Sequence, residues 1–158
     1  MEKVKELVEL LISKNLKIAS AESCTGGLFA SSIVSVAGSS AIIDASIVTY
    51  SNEAKMKYCG VKAETLEVYG AVSEEVAKEM AEGIAYECGA DVGVSFSGIA
   101  GPGGATETKP VGMVCMGLSF NGEVYTFTNI FKGDRTAVRE QSVEFMINTL
   151  LDVLTEDE

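Results

Sequence analysis

Between residues 3 and 97 the apolar pattern of this chain changes period again and again, and that alternation restricts it to one class of fold. Val4, Leu7, Val8 and Leu11 recur at the spacing of one helical face. "LKIASA" (16–21) is a short apolar run of strand length, and a helical pattern over 25–36 follows it and stops at Gly38-Ser39. "AIIDASIVTY" (41–50) is rich in β-branched residues and reads as a second strand. Ser51 is placed to cap a short helix over 52–58, and another covers 63–69, ending at Gly70. Ser73 caps a longer helix, with Glu74 and Glu75 in its first turn, where the helix dipole favours anions. That helix runs to Cys88 and stops at Gly89.

"DVGVSFS" (91–97) is a third strand. After a Gly/Pro-rich loop, "MVCMGLSF" and "EVYTFTNIF" flank Asn121-Gly122, a strong short-range signal for a hairpin. Asp134 then caps a last helix over 135–154. Helices alternating with strands, with a hairpin late in the chain, predict an α/β fold. It has three layers, α/β/α, around a mostly parallel sheet with one antiparallel strand. The length, 158 residues, suits one domain, 1–158. In such sheets ligands bind beyond the carboxyl ends of the strands. Residues 22–27, 50–55 and 97–110 converge there.

The formal charge of −11 argues against nucleic acid as a partner, because phosphate backbones demand clustered Lys and Arg. A small phosphorylated ligand needs only a few local cations. No apolar run reaches the length of a membrane span, and the acid-bearing N-terminus lacks a signal-peptide core, so a cytoplasmic location is expected. Cys24, Cys59, Cys88 and Cys115 form no C-x-x-C pair, and the chain contains no histidine. A transition-metal site has no ligand set, and no cofactor is expected.

The stretch "SAESCTGGLFA" (20–30) sets Ser23 between a strand and a helix, followed by Thr25, Gly26 and Gly27. Two readings stand. Ser23 or Thr25 caps the helix; or Ser23 is a nucleophile, with the backbone N–H groups of 24–27 facing an oxyanion or phosphate. Without histidine, the base for such a serine would be a neutral lysine. Lys55, at the fourth position of the helix capped by Ser51, leans toward that helix's N-terminus. Its other reading is a surface cation paired with an acid such as Glu53. Tyr50 ends the preceding strand and is placed to orient or relay a proton. Cys24 is a rival nucleophile or a small buried hydrophobe. "SGIAGPGG", with Gly101, Gly103 and Gly104, matches no phosphate-loop signature and reads equally as a binding loop or as a bare turn. Arg135 and Arg139 lie four apart on one helical face, for a phosphate or for surface pairing.

Taken in order, "AESCTGG", "VTYSNEAK", "YGAVSEEVAKEMAEG", "SGIAGPGG" with "KPVG", and "GDRTAVR" resemble the C-terminal domain of the competence-damage-inducible (CinA) family, over about residues 5–153. Stand-alone members of that family include nicotinamide mononucleotide deamidases. The resemblance implies an α/β/α fold with a mixed five-stranded sheet and a Ser/Lys amidohydrolase that turns nicotinamide mononucleotide and water into nicotinate mononucleotide and ammonia. It implies Ser23 as nucleophile and Lys55 as base, with Tyr50 and an arginine assisting. That arginine is placed at Arg139, with Arg135 as second choice. Thr25, Gly26, Gly27, Gly101, Gly103, Gly104 and Arg135 would hold the substrate, a small-molecule nucleotide. A homo-oligomer is expected. The alternative within the same resemblance is a non-catalytic nucleotide-binding or scaffolding module acting in DNA uptake or repair.

Overall fold

The computed structural model describes residues 2–156. In chain order the elements are α1 (Glu2–Lys14), β1 (Ile18–Glu22), α2 (Leu28–Val34), a 3-10 turn (Ser39–Ala41), β2 (Ile47–Val48), α3 (Asn52–Cys59), α4 (Ala63–Tyr69), α5 (Glu74–Cys88), β3 (Val92–Gly98), β4 (Met113–Phe120), β5 (Glu123–Ile130) and α6 (Arg135–Glu156). The strands form one sheet in the order β2-β1-β3-β4-β5. β2, β1 and β3 pair in parallel and the last two pairings are antiparallel, so β4 alone runs against the other four. This is the mixed α/β sheet that the alternating periods predict.

Side chains alternate across each strand, so the two faces of the sheet carry different chemistry. One face presents Ile18, Val92, Val94, Phe96, Val114, Met116 and Leu118 to α1, α2 and α6, and holds the larger core. The other presents Ala19 and Ala21 to α5 and the end of α3. There the sheet is lined with small residues. A Cβ added at Gly93 would collide with the Ala81 carbonyl, and one at Gly117 with that of Ala77. Ser95 Oγ donates to the Ala77 carbonyl, 2.6 Å away. α5 therefore lies close on the sheet, and α3 lies close on α5: a Cβ at Gly83 would enter the Cys59 carbonyl.

The expected caps form. Ser51 Oγ accepts from Ala54 N (3.1 Å), Ser73 Oγ from Val76 N (3.2 Å) and Asp134 Oδ1 from Ala137 N (2.9 Å). Two expectations fail. The strand expected over 41–50 shrinks to Ile47–Val48, with one isolated bridge between Ile18 and Ile43. Ser46 Oγ accepts the Ser20 amide (3.0 Å), a side chain doing what a ladder carbonyl would otherwise do. The helix expected from Thr25 begins at Leu28, because Gly26 (φ 55°) and Gly27 (φ 100°) are left-handed and cannot continue a right-handed helix. Neither Ser23 nor Thr25 caps it. The cap is the carboxylate of Glu22, reaching from β1: Oε1 accepts from Phe29 N and Oε2 from Ala30 N and Ser20 Oγ, each at 2.9 Å.

The close fit of α3 on α5 yields a test that separates packing from propensity. Alanine is a better helix former than glycine by about 1 kcal/mol. Gly83→Ala should nevertheless destabilise the protein by about 1–3 kcal/mol, the usual cost of overpacking. Urea unfolding of the two proteins measures it, and an alanine variant as stable as the parent would contradict the packing described.

Candidate active site

Alternation along β1 decides where its last residues point. Glu22 faces α2, so Ser23 faces the opposite layer, where α3 stands. The Ser23 amide extends the ladder by donating to the Phe96 carbonyl (3.0 Å), which fixes its backbone. On α3, Lys55 is the only charged side chain of the helix that is buried, at 1% exposure, and it leans toward the helix N-terminus. Its Nζ lies 3.3 Å from Ser23 Oγ, 3.0 Å from the Thr49 carbonyl and 3.1 Å from the Tyr50 carbonyl. The surface-cation reading of Lys55 is thereby overturned. Among the described residues no carboxylate pairs with this amine.

Burial lowers the Lys55 pKa from its ordinary 10.5. The Cys24 and Cys59 thiols would oppose that only as thiolates. Burial pushes them up to about 11 and about 12, so near neutral pH both are uncharged. A neutral amine has two N–H donors and one lone pair. The two carbonyls accept and cannot donate, so they take the two N–H groups. When the amine is neutral its lone pair is left facing Ser23 Oγ, in position to take the hydroxyl proton; when it is protonated its third N–H donates there. Cys24 also lines the cleft in front of this pair, but it is otherwise buried in the apolar core, and its raised pKa keeps the thiol protonated.

The pair opens into a cleft of about 260 Å³ at the carboxyl ends of the strands. Besides Ser23 and Lys55 its lining includes Tyr50, Asn52, Gly101, Gly103, Gly104 and Arg135. The three sequence segments expected at this rim do meet there. No Asp or Glu lines the cleft, on a chain of net charge −11. The two arginines have separate positions. Arg135 lies on the cleft wall, with Nη1 donating to the Gly101 carbonyl (2.9 Å) and Nη2 to Tyr50 Oη (3.4 Å). Arg139, one turn on, reaches behind Ser23: Nε donates to the Cys24 carbonyl and Nη2 to the Thr25 carbonyl, both at 3.0 Å.

Thr25, Gly26 and Gly27 do not line the cleft. They form the turn that Arg139 holds. Among the described residues, the Cys24 and Thr25 amides donate to no oxygen. Asn52 and Ser97 lie within two of the segments expected at the rim, without having been singled out there, whereas the lining by Ala71-Val72 and the cap by Glu22 were not expected. Two of these carried a signal. Asn52 precedes Lys55 by three residues, on the same helical face. Ala71-Val72 leads into α5, and the connection entering a crossover helix begins at the rim where ligands bind. The cap by Glu22 had none, because it depends on tertiary placement.

A family model described as the CinA C-terminal domain matches residues 1–154. A putative competence-damage inducible protein of Clostridioides difficile is 51% identical over 142 residues, covering 90% of this chain and 34% of the relative. One from Clostridium acetobutylicum is 53% identical over 139 residues, covering 88% of this chain and 34% of the relative. The chain thus spans about a third of the length of these curated relatives. Among solved structures, a competence-damaged protein (CinA) superfamily protein from Klebsiella pneumoniae superposes with a TM-score of 0.95 at 38% identity, covering 98% of this chain and 97% of that one. One from Escherichia coli gives 0.93 at 36% identity, covering 96% and 88%.

The buried amine makes stability depend on pH with a definite sign. A lysine whose folded pKa lies below its unfolded one binds fewer protons when folded, so stability rises with pH between the two values. The penalty is complete below the folded pKa and vanishes above 10.5. Lys55→Met removes it. The stability of the variant relative to the parent should therefore be greatest at the acidic end of a series from pH 6 to 10.5 and decline toward the alkaline end. Denaturant midpoints across that series measure the difference; a difference independent of pH would mean that Lys55 is not depressed.

Proposed function

The chain belongs to the CinA C-terminal domain family, and from that premise we propose that it is a nicotinamide mononucleotide deamidase, hydrolysing the carboxamide to nicotinate mononucleotide and ammonia. One observation carries the reading: a buried lysine amine, with no carboxylate partner among the described residues, 3.3 Å from a serine hydroxyl at the mouth of a ligand-sized cleft. Lys55 takes the Ser23 proton as Oγ attacks the carboxamide carbon. The Thr25 amide, which among the described residues donates to no oxygen, faces the oxygen of the tetrahedral intermediate, with the Cys24 amide beside it. The protonated Lys55 then gives its proton to the departing nitrogen, ammonia leaves, and an ester remains on Ser23. Lys55, neutral again, takes a proton from the water that attacks this ester, and nicotinate mononucleotide departs as Ser23 recovers its hydrogen.

The cleft volume is near the lower end of ligand pockets, roughly 300–1,000 Å³. That suits a single ring and its near substituents, with the phosphate at the rim. Arg135 is the cation at that rim, and the acid-free lining favours an anionic ligand over free nicotinamide. Arg139 is spent on two carbonyls, and its assistance is to hold the turn that follows Ser23.

Ser23→Ala should abolish ammonia release while leaving the fold intact, and Lys55→Arg should abolish it because guanidinium does not deprotonate. Cys24→Ala should keep most of it. The rate of the parent should rise with pH through a single ionisation below 10.5. An active Lys55→Arg protein, or one dead only as Cys24→Ala, would sink the Ser/Lys assignment. Binding of the mononucleotide without turnover by the metal-free parent would favour the non-catalytic module instead.

The two arginines should differ in kind. Arg135→Ala should weaken the mononucleotide by about 1.5–3 kcal/mol, the scale of a hydrogen bond to a charged group, and leave free nicotinamide unaffected. Arg139→Ala should lower kcat on both substrates. Kinetics on the pair decides it, and equal losses from both variants on both substrates would undo the division.

A further inference from the structure

Most polar side chains on the cleft wall are already engaged. Lys55 Nζ is committed to Ser23, Thr49 and Tyr50. Ser97 Oγ donates to the Ala71 carbonyl (2.7 Å), and Tyr50 Oη accepts from Arg135. Asn52 differs. It is exposed on the cleft lining, and among the described residues its carboxamide has no hydrogen-bond partner. It stands at the first position of α3, three residues before Lys55, so the two side chains share a face about one turn apart. The neighbouring Tyr50 links both ends of the cleft, since its carbonyl holds the Lys55 amine and its hydroxyl meets Arg135.

We propose that Asn52 is a specificity residue, its carboxamide taking the vicinal hydroxyls of a ribose bound between the Ser23–Lys55 pair and Arg135. This rests on the deamidase reading for the order of groups along the cleft: carboxamide at Ser23, phosphate at Arg135, sugar between. A carboxamide both donates and accepts, as does each sugar hydroxyl, so the oxygen and the NH₂ of Asn52 match two adjacent hydroxyls. The apolar and glycine-rich remainder of the wall, such as Ile99 and Ala100, offers no side-chain partner for them. The residue makes no contact with the reacting atoms, so it acts on binding and not on the chemical step.

The test uses ribose 5-phosphate and 2-deoxyribose 5-phosphate as probes, titrated calorimetrically into the intact parent and into Asn52→Ala. The parent should prefer the ribose form by about tenfold, the scale of one or two neutral hydrogen bonds. Asn52→Ala should bind the two alike, with its thermal midpoint unchanged. With nicotinamide mononucleotide, Asn52→Ala should raise KM about tenfold at a kcat close to that of the parent. A parent indifferent to the 2-hydroxyl, or a variant that keeps the preference, would overturn the assignment. So would a loss confined to kcat. The sugar phosphates contain no amide, so a parent that shows the ribose preference but releases no ammonia would defeat the deamidase reading alone.

Discussion

A lysine amine with no counter-ion among the described residues, sealed under the end of a sheet, is the constraint around which this protein is arranged. Burying an ammonium in such a place is costly, and the molecule avoids that cost by favouring the neutral form. Neutrality in turn has structural requirements. Two main-chain carbonyls must converge on the nitrogen, and they do so because Thr49 and Tyr50 form the connection between β2 and α3. The helix must begin where its fourth residue falls back over that connection, which Ser51 ensures as its cap. Its far end must sit deep against α5, which Gly83 permits. A histidine-free chain thus depresses the pKa of an amine by burial, with main-chain carbonyls to place it.

Features set by neighbours in the chain were readable in advance. Ser51, Ser73 and Asp134 cap because their position relative to the following turn suffices, and the Asn121-Gly122 hairpin closes for the same local reason. The Ser23–Lys55 approach could be argued from the lean of a helical side chain, although its contact with Ser23 joins residues 32 positions apart. What could not be read depends on groups far away or on competition between local partners. Ser46 displaces a ladder bond that the β-branched run around it seemed to promise. Two left-handed glycines delay α2, and the cap it then lacks comes from the strand before it. The arginines were seen as one pair on one face, but nothing in their spacing revealed that one would turn to the cleft and the other to the back of the turn.

That division makes the first turns of α6 a joint between the cleft rim and the turn after β1. Arg135 meets the rim loop and Tyr50, and Arg139 meets the two carbonyls that follow the serine. Both arise from one helix, packed through Val138 into the core. The cleft wall and the backbone that follows Ser23 are therefore held by the same element.

Glu22 and Ser23 share a peptide unit but belong to opposite layers. The carboxylate of the first, 1% exposed, is moored to α2; the hydroxyl of the second is opposed by an amine rooted in α3. Their shared peptide is pinned at both edges, its carbonyl by the Thr49 amide (2.9 Å) and its N–H by the Phe96 carbonyl (3.0 Å). Two helical layers that never touch at this point therefore take their bearing from one clamped plane, and the distance between hydroxyl and amine is set by the sheet.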